Sequence, residues 1–153
     1  MKDRIELREI VKEDLSGFGE LFPNWKPGSA EKKLKKTLAS KKIKRFVAIS
    51  KGKIIGHAKC ILGKGRHIHI AELYSLVVLP EHRGKGIGTS LIQHTEEQMP
   101  DQIKLVVFQV QADNENAINL YKKLGFEQYG FLEKASLVDG KLADNILMKK
   151  EIQ

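Results

Sequence analysis

One cysteine, four prolines, one tryptophan and three tyrosines stand among the 153 residues. The single cysteine, Cys60, excludes an internal disulfide and a zinc ribbon. Its place in the apolar run Ala58-Lys59-Cys60-Ile61-Leu62 predicts a buried structural thiol. No apolar run approaches the roughly 20 residues of a membrane span, and the opening MKDRIELREI lacks the apolar segment of a secretory signal. Repeats, low-complexity stretches and linkers are also missing. Membrane, disulfide-stapled and repeat-array proteins are thereby excluded. The expectation is a single cytoplasmic domain over residues 1–153.

What is present is ordinary for a globular chain: 41% hydrophobic and 30% charged residues. The charge is less ordinary. Lys and Arg total 27 against 19 Asp and Glu, a net charge of +8 that favours anionic partners. Much of the excess lies between Lys26 and Lys53, in KPGSAEKKLKKTLASKKIKR and then KGK. Two readings stand, a solvated helix face and an anion-steering surface. Nucleic acid is not expected as a partner, because no aromatic–basic interleaving or recognition-helix pattern accompanies the charge.

Periodicity predicts the elements. Alternation over Arg4–Ile10 predicts a strand, and Leu15, Phe18, Leu21 and Phe22 predict a helix over Lys12–Phe22, ended by Pro23. A lysine-covered helix follows from Glu31 to Ala39, built around Leu34 and Leu38. Arg45–Ser50 and Lys53–Leu62 form a hairpin about Lys51-Gly52. Arg66–Leu79 reads as a strand whose second half, LYSLVVL, suits a strand covered on both faces. A helix from about Gly84 to Gln98, a buried strand over Lys104–Gln111, a helix over Asn114–Leu124 and two strands joined at Asp139-Gly140 complete the chain. The order β-α-α-β-β-β-α-β-α-β-β predicts an α/β fold with a mixed sheet and helices packed on it.

Two segments carry chemistry. In Leu76-Val-Val-Leu-Pro-Glu-His-Arg-Gly-Lys-Gly-Ile-Gly88 an apolar strand runs into a turn with glycines at 84, 86 and 88, then a helix. The unpaired amides of a helix start, with Arg83 and Lys85, suit a phosphate or pyrophosphate. The turn fits neither a Walker loop, which needs GxxxxGK[ST], nor a dinucleotide fingerprint, whose spacing and position differ. In the second segment, Asp113 or Asn114 can cap a helix. Ala117, Leu120, Tyr121 and Leu124 share one face, and Gly125-Phe126 suits a left-handed helix end.

Arg83-x-x-Gly86-x-Gly88 followed by Asn114-x-x-Ala117-x-x-Leu120-Tyr121-x-Lys123-x-Gly125-Phe126 resembles the acyl-CoA site of the GNAT superfamily of N-acetyltransferases. The resemblance covers nearly the whole chain. It implies a GNAT-like fold, a mostly antiparallel sheet with flanking helices whose fourth and fifth strands splay apart. It also implies acetyl-CoA as co-substrate and a single N-acetyltransferase domain. Backbone groups of Leu76, Val77 and Val78 would line the pantetheine and acetyl group, with the Val78 amide as oxyanion donor. Arg83, Gly84, Lys85, Gly86, Ile87, Gly88 and Thr89 would hold the pyrophosphate. Asn114 would bind the pantetheine arm, and Tyr121 would sit near the thioester sulfur.

The chemistry follows from the residue types. An amine attacks a thioester directly, so no enzyme nucleophile is needed. A backbone N–H stabilises the charged oxygen, Tyr121 can protonate the departing thiolate, and a carboxylate can deprotonate the amine. Glu72 occupies a position where several family members keep a catalytic glutamate, and a salt-bridged strand residue is its alternative. Gln109 stands where acetyltransferases of ribosomal-protein N-termini have glutamate. Tyr74 suits an acceptor pocket or the core equally. His67 and His69 would share a strand face, yet no Asp, Glu or Cys pattern joins them, so no metal is expected. The final strands, with Asp144 and Met148, look like those of members that acetylate small amines. The expected acceptor is a primary amine of a small molecule, amino-acid-like or polyamine-like. A protein lysine or N-terminus and a non-catalytic acyl-CoA-binding module are the alternatives. No membrane partner is expected, and a homodimer stays open.

Overall fold

The computed structural model describes residues 3–153. Its elements are β1 (Glu6–Glu9), α1 (Leu15–Phe18), α2 (Ser29–Ala39), β2 (Ile43–Ser50), β3 (Lys53–Leu62), β4 (Ile70–Val78), α3 (Ile87–Glu97), β5 (Leu105–Gln111), α4 (Glu115–Lys123), β6 (Glu127–Val138) and β7 (Lys141–Glu151). The element order is the expected one. Seven strands form a mixed sheet in the order β1-β2-β3-β4-β5-β7-β6, parallel at β4–β5. No helix among the described residues is long and apolar enough to cross a membrane.

The chain divides into two compact units. One runs to Leu62 and adds Ser75–Met99; the other combines Gly63–Tyr74 with Pro100–Gln153. In the first unit, antiparallel β1, β2 and β3 present Val47, Ile49 and Ile54 to a cluster of Ile10, Phe18, Leu21 and Leu34. Phe22 and Trp25 stack at 3.9 Å and 4° beside Phe18. α3 crosses β3 at Gly56, where an added Cβ would stand 3.0 Å from Leu91 Cδ1 and 3.3 Å from the Val77 carbonyl. Cys60 is fully buried, as its apolar setting predicts.

The predicted helix over Lys12–Phe22 is instead two 3-10 turns, Lys12–Asp14 and Gly19–Leu21, around the four residues of α1. The cause is local. Asp14 folds its carboxylate back to accept from Arg8 (2.7 and 2.8 Å) and from the Val11 amide (2.8 Å). Gly17 and Gly19 lower helix propensity and let the turn pass close to Ile54 and Ala30. On α2, Leu34 is buried but Leu38 is 48% exposed, and Thr37 takes the inward place. Its hydroxyl accepts from Arg45 Nε at 2.8 Å and donates to the Lys33 carbonyl at 3.0 Å.

In the second unit, β5 pairs with β7, which pairs with β6, both antiparallel. The parallel register joins Ile70–Glu72 to Leu105–Val107; β4 itself runs to Val78 and β5 to Gln111. The strand predicted from Arg66 begins only at Ile70, because Gly65–His67 is a 3-10 turn. His67 therefore does not share a strand face with His69. The run LYSLVVL is not covered on both faces: Leu73 is buried, Tyr74 is 55% exposed and the rest are half-buried. β5 likewise buries alternate residues, Val106, Phe108 and Val110.

Arg45, bonded to Thr37 of α2, and His57, beside the rings of Phe18 and Phe22, are both buried, and Arg45 Nη1 lies 3.1 Å from His57 Nε2. Arginine can only donate, so Nε2 accepts and the proton sits on Nδ1, which has no hydrogen-bond partner. Burial, then the charges of Arg45 and Lys59, push the imidazole down to about 3. Unfolding restores an ordinary histidine near 6.5, so the unfolded chain binds the extra proton between these values. Stability should therefore fall as pH drops below about 6.5, by about 2 kcal/mol at pH 5 from this residue alone. Urea midpoints at pH 7.5 and 5 should show the loss, and His57→Gln should flatten it. Equal slopes in both proteins would remove His57 as the cause.

Candidate active site

β4 leaves the sheet at Val78, and a 3-10 turn over Pro80–His82 carries the chain to Arg83. Two left-handed residues then follow, Gly84 at φ +72° and Gly86 at φ +82°. No atom lies within 4 Å of a Cβ built at either, so backbone conformation rather than space demands glycine here. Gly86 is the N-cap of α3, and no side chain caps it. The first bond back to its carbonyl comes from Ser90 at 3.0 Å. The amides of Ile87, Gly88 and Thr89 thus precede the helical ladder, where the helix dipole is positive. Gly88 is different. A Cβ there would meet Leu76 and Val78 at 3.6 and 3.9 Å, ordinary packing distances.

Arg83 donates from Nε to the Val78 carbonyl at 2.9 Å, tying the turn to the end of β4. Lys85 is exposed. A cavity of about 570 Å³ opens on the turn, lined by Asp3, Ile5, Ser50, His82, Gly84, Lys85 and Ile87. Two left-handed glycines, uncapped amides and a free-standing lysine form a donor set that fits a pyrophosphate. Leu76, Val77 and Val78 are half-buried.

In the second unit, α4 positions the other candidates. Asn114 is the N-cap, its Oδ1 accepting from the Ala117 amide at 3.2 Å. That bond fixes the amide group's polarity, leaving Nδ2 as a donor. At the other end, the Gly125 amide donates to Lys122 and the Phe126 amide to Tyr121, with Gly125 at φ +94°. This double bond pattern is the Schellman ending, and it sets Phe126 against Tyr121. Tyr121, 8% exposed, packs at 4.0 Å from the Phe108 ring and 5.8 Å from that of Phe126. Burial raises its hydroxyl to about 12, so it holds its proton throughout the neutral range. Ile118, rather than Leu120 or Leu124, joins Tyr121 as a buried residue of α4.

Glu72 pairs with Val107, whereas Phe108, one residue on, packs on Tyr121. Glu72 and Tyr121 therefore belong to opposite faces of the second unit's sheet. Burial, then a hydrogen bond to Glu72, raises the Tyr74 hydroxyl, so that phenol orients the carboxylate. Gln109 accepts at Oε1 from Asn145 Nδ2 at 3.1 Å, and Asn145 also donates to Ser136 at 2.9 Å. Buried Asn145 has no signal in the sequence beyond its place in a strand. No group of three or more His, Cys, Asp or Glu suited to a metal occurs among the described residues.

The model of the acetyltransferase (GNAT) family matches residues 6–126, across both units. An uncharacterized N-acetyltransferase of Methanocaldococcus jannaschii is 32% identical over 136 residues, covering 80% of this chain and 60% of that protein. The L-amino acid N-acetyltransferase of Escherichia coli is 31% identical over 114 residues, or 71% and 68% of the two chains. The chain thus spans somewhat under two thirds of the first relative and slightly more of the second. Among solved structures, a GNAT-family acetyltransferase from Streptococcus pneumoniae superposes with a TM-score of 0.83 over 97% of this chain and all of that one. At 24% identity that likeness speaks for the fold alone. With its family match, its homologues and its fold in agreement, the chain belongs to the GNAT family of acetyltransferases.

Proposed function

We propose that the protein transfers an acetyl group from acetyl-CoA to a primary amine of a small molecule, by direct attack of the amine on the thioester. GNAT enzymes use acetyl-CoA as co-substrate. The observation that carries the reading is the uncapped α3 terminus presented by left-handed Gly84 and Gly86. An anion there meets several amides and a positive dipole end at no cost in rearrangement. We assign the pyrophosphate to Arg83–Thr89, the pantetheine and acetyl group to Leu76, Val77 and Val78, and the pantetheine amide to Asn114 Nδ2. The whole of 1–153 then acts as one N-acetyltransferase domain.

Three groups share the chemistry in this reading. The attacking amine, with a solution pKa near 10.4, must lose a proton, and Glu72 oriented by Tyr74 accepts it directly or through water. The Val78 amide stabilises the negative oxygen that develops on the thioester carbonyl. Tyr121 donates to the leaving thiolate. A phenol at about 12 is a weak acid beside a thiol near 8.5, so Tyr121 acts first as a hydrogen-bond donor to the forming thiolate. An amino-acid-like acceptor draws support from the Escherichia coli relative.

Acetyl-CoA at 100 times its dissociation constant should stabilise the fold by about 2.7 kcal/mol, while ATP at the same concentration should do much less. Gly86→Glu should abolish the acetyl-CoA shift, and Gly86→Ala, equally strained at φ +82° but uncharged, should retain part of it. An equal shift with ATP would overturn the assignment of the loop. Tyr121→Phe should lower kcat by about 100-fold with little change in acetyl-CoA affinity. Unchanged turnover would remove Tyr121 from the reaction. At Asn114 two roles separate. Asn114→Ser should keep the cap and weaken only acetyl-CoA binding, whereas Asn114→Ala should also destabilise the fold by about 1 kcal/mol.

A further inference from the structure

The positive charge of this chain is concentrated rather than spread. Residues 26–53 hold 11 of the 27 Lys and Arg and one of the 19 Asp and Glu, which leaves the remainder, at 16 against 18, slightly acidic. Ion pairs answer part of the excess: Lys35 with Glu31, Lys44 with Glu9 and Lys51 with Asp3. Lys33, Lys36 and Arg45 form no ion pair among the described residues. These three meet at one place. Thr37 accepts from Arg45 Nε, and Lys33 and Lys36 stand beside Thr37 on α2, one turn and one residue earlier. Across the hairpin, Lys59 of β3 is the register partner of Arg45.

Two features of this cluster run against ordinary packing. Like charges opposed across a strand pair destabilise it, and a buried charge is ordinarily answered by one of opposite sign. Arg45 is 4% exposed and hydrogen-bonded only to Thr37 and His57, both neutral. Burial, then the charges of Arg45, Lys33 and Lys36, push the half-buried Lys59 ammonium below its ordinary value. A solvated helix face accounts for Lys32, Lys35 and Lys41, all exposed. It does not account for cations at Arg45 and Lys59.

We propose that Lys33, Lys36 and Lys59, with Arg45 behind them, bind the phosphate chain of a small anion. Lysine binds phosphate as a point charge, and a multiply charged anion here supplies the opposite sign that four neighbouring cations lack. The site is separate from the 83–89 loop. Phe46 meets His94 of α3 at 5.5 Å and Gly56 faces Leu91, so alternation turns Arg45 and Lys59 to the other face of this unit's sheet. The phosphates rather than a base are recognised. Trp25 stacks on Phe22 and has Lys33 Nζ 5.0 Å from its ring centroid, which leaves no open ring for a base. The proposal is independent of the acetyl-transfer reading.

Trp25 is the one tryptophan of the chain and lies beside Lys33, so its emission reports an anion bound there. Inorganic tripolyphosphate, added to the full chain at constant ionic strength up to about 5 mM, should change that emission saturably. The double variant Lys36→Gln, Lys59→Gln keeps Lys33 beside the ring and should raise the dissociation constant at least about tenfold. Lys51→Gln, Lys53→Gln removes the same charge at the hairpin's turn, about 20 Å along β2, and should change it less than about twofold. Gly86→Glu, which closes the 83–89 loop to anions, should leave the titration as it is. An emission unchanged at about 5 mM overturns the site. So does equal weakening by the two lysine pairs, the response of a diffuse field, or a titration abolished by Gly86→Glu. ATP should bind no more tightly than tripolyphosphate, and binding of ATP about tenfold tighter would overturn recognition of the phosphate chain alone.

Discussion

The passage from β4 into α3 requires two residues with positive φ, and much of the first unit depends on that requirement. Gly84 and Gly86 reverse the chain within a few residues, so that α3 returns over β3 at Gly56 and seats Leu91 in the core. The same reversal leaves the first amides of α3 without intrahelical acceptors. The packing of α3 and the exposure of its first amides therefore have one origin. A side chain with Cβ at Gly84 or Gly86 strains both, whereas Gly88 stands at ordinary packing distances and is far less constrained.

The two catalytic candidates of the second unit rest on opposite physical conditions. Tyr121 is enclosed by Phe108 and Phe126 and keeps its proton because the phenolate would be poorly solvated there. Glu72, on the other face, keeps a hydrogen-bonded phenol beside it and remains partly open to solvent. Alternation along β4 and β5 sets the two side chains on opposite faces of this unit's sheet. Neither condition needs a metal or a reactive thiol. It needs only alternation along β4 and β5 and a helix end that holds Tyr121 still.

Local signals were legible in the sequence, and long-range ones were not. The Schellman ending of α4 could be read from Gly125-Phe126, and the capping role of the 113–114 segment from residue type, because both depend on neighbours within six residues. The glycine turn could be read for the same reason. The helix predicted over Lys12–Phe22 failed because its apolar spacing is real but Asp14 is bound to Arg8. Leu38 points outward because Thr37 answers Arg45, eight residues away, a demand no helical period contains. The apolar run after Leu73 reflects a strand left partly open rather than one enclosed, and sequence alone does not separate these cases. Gly56 and Asn145 matter through contacts 35 and 36 residues distant, with Leu91 and Gln109.

The burial of Cys60 has a chemical consequence for a protein of this family. Acetyl transfer from a thioester liberates a free thiol at every turnover, and free thiols form mixed disulfides with accessible cysteines when oxidant is present. The one sulfhydryl of this chain is fully enclosed within the β2–β3 hairpin's core face. An enclosed thiol is out of reach of such exchange.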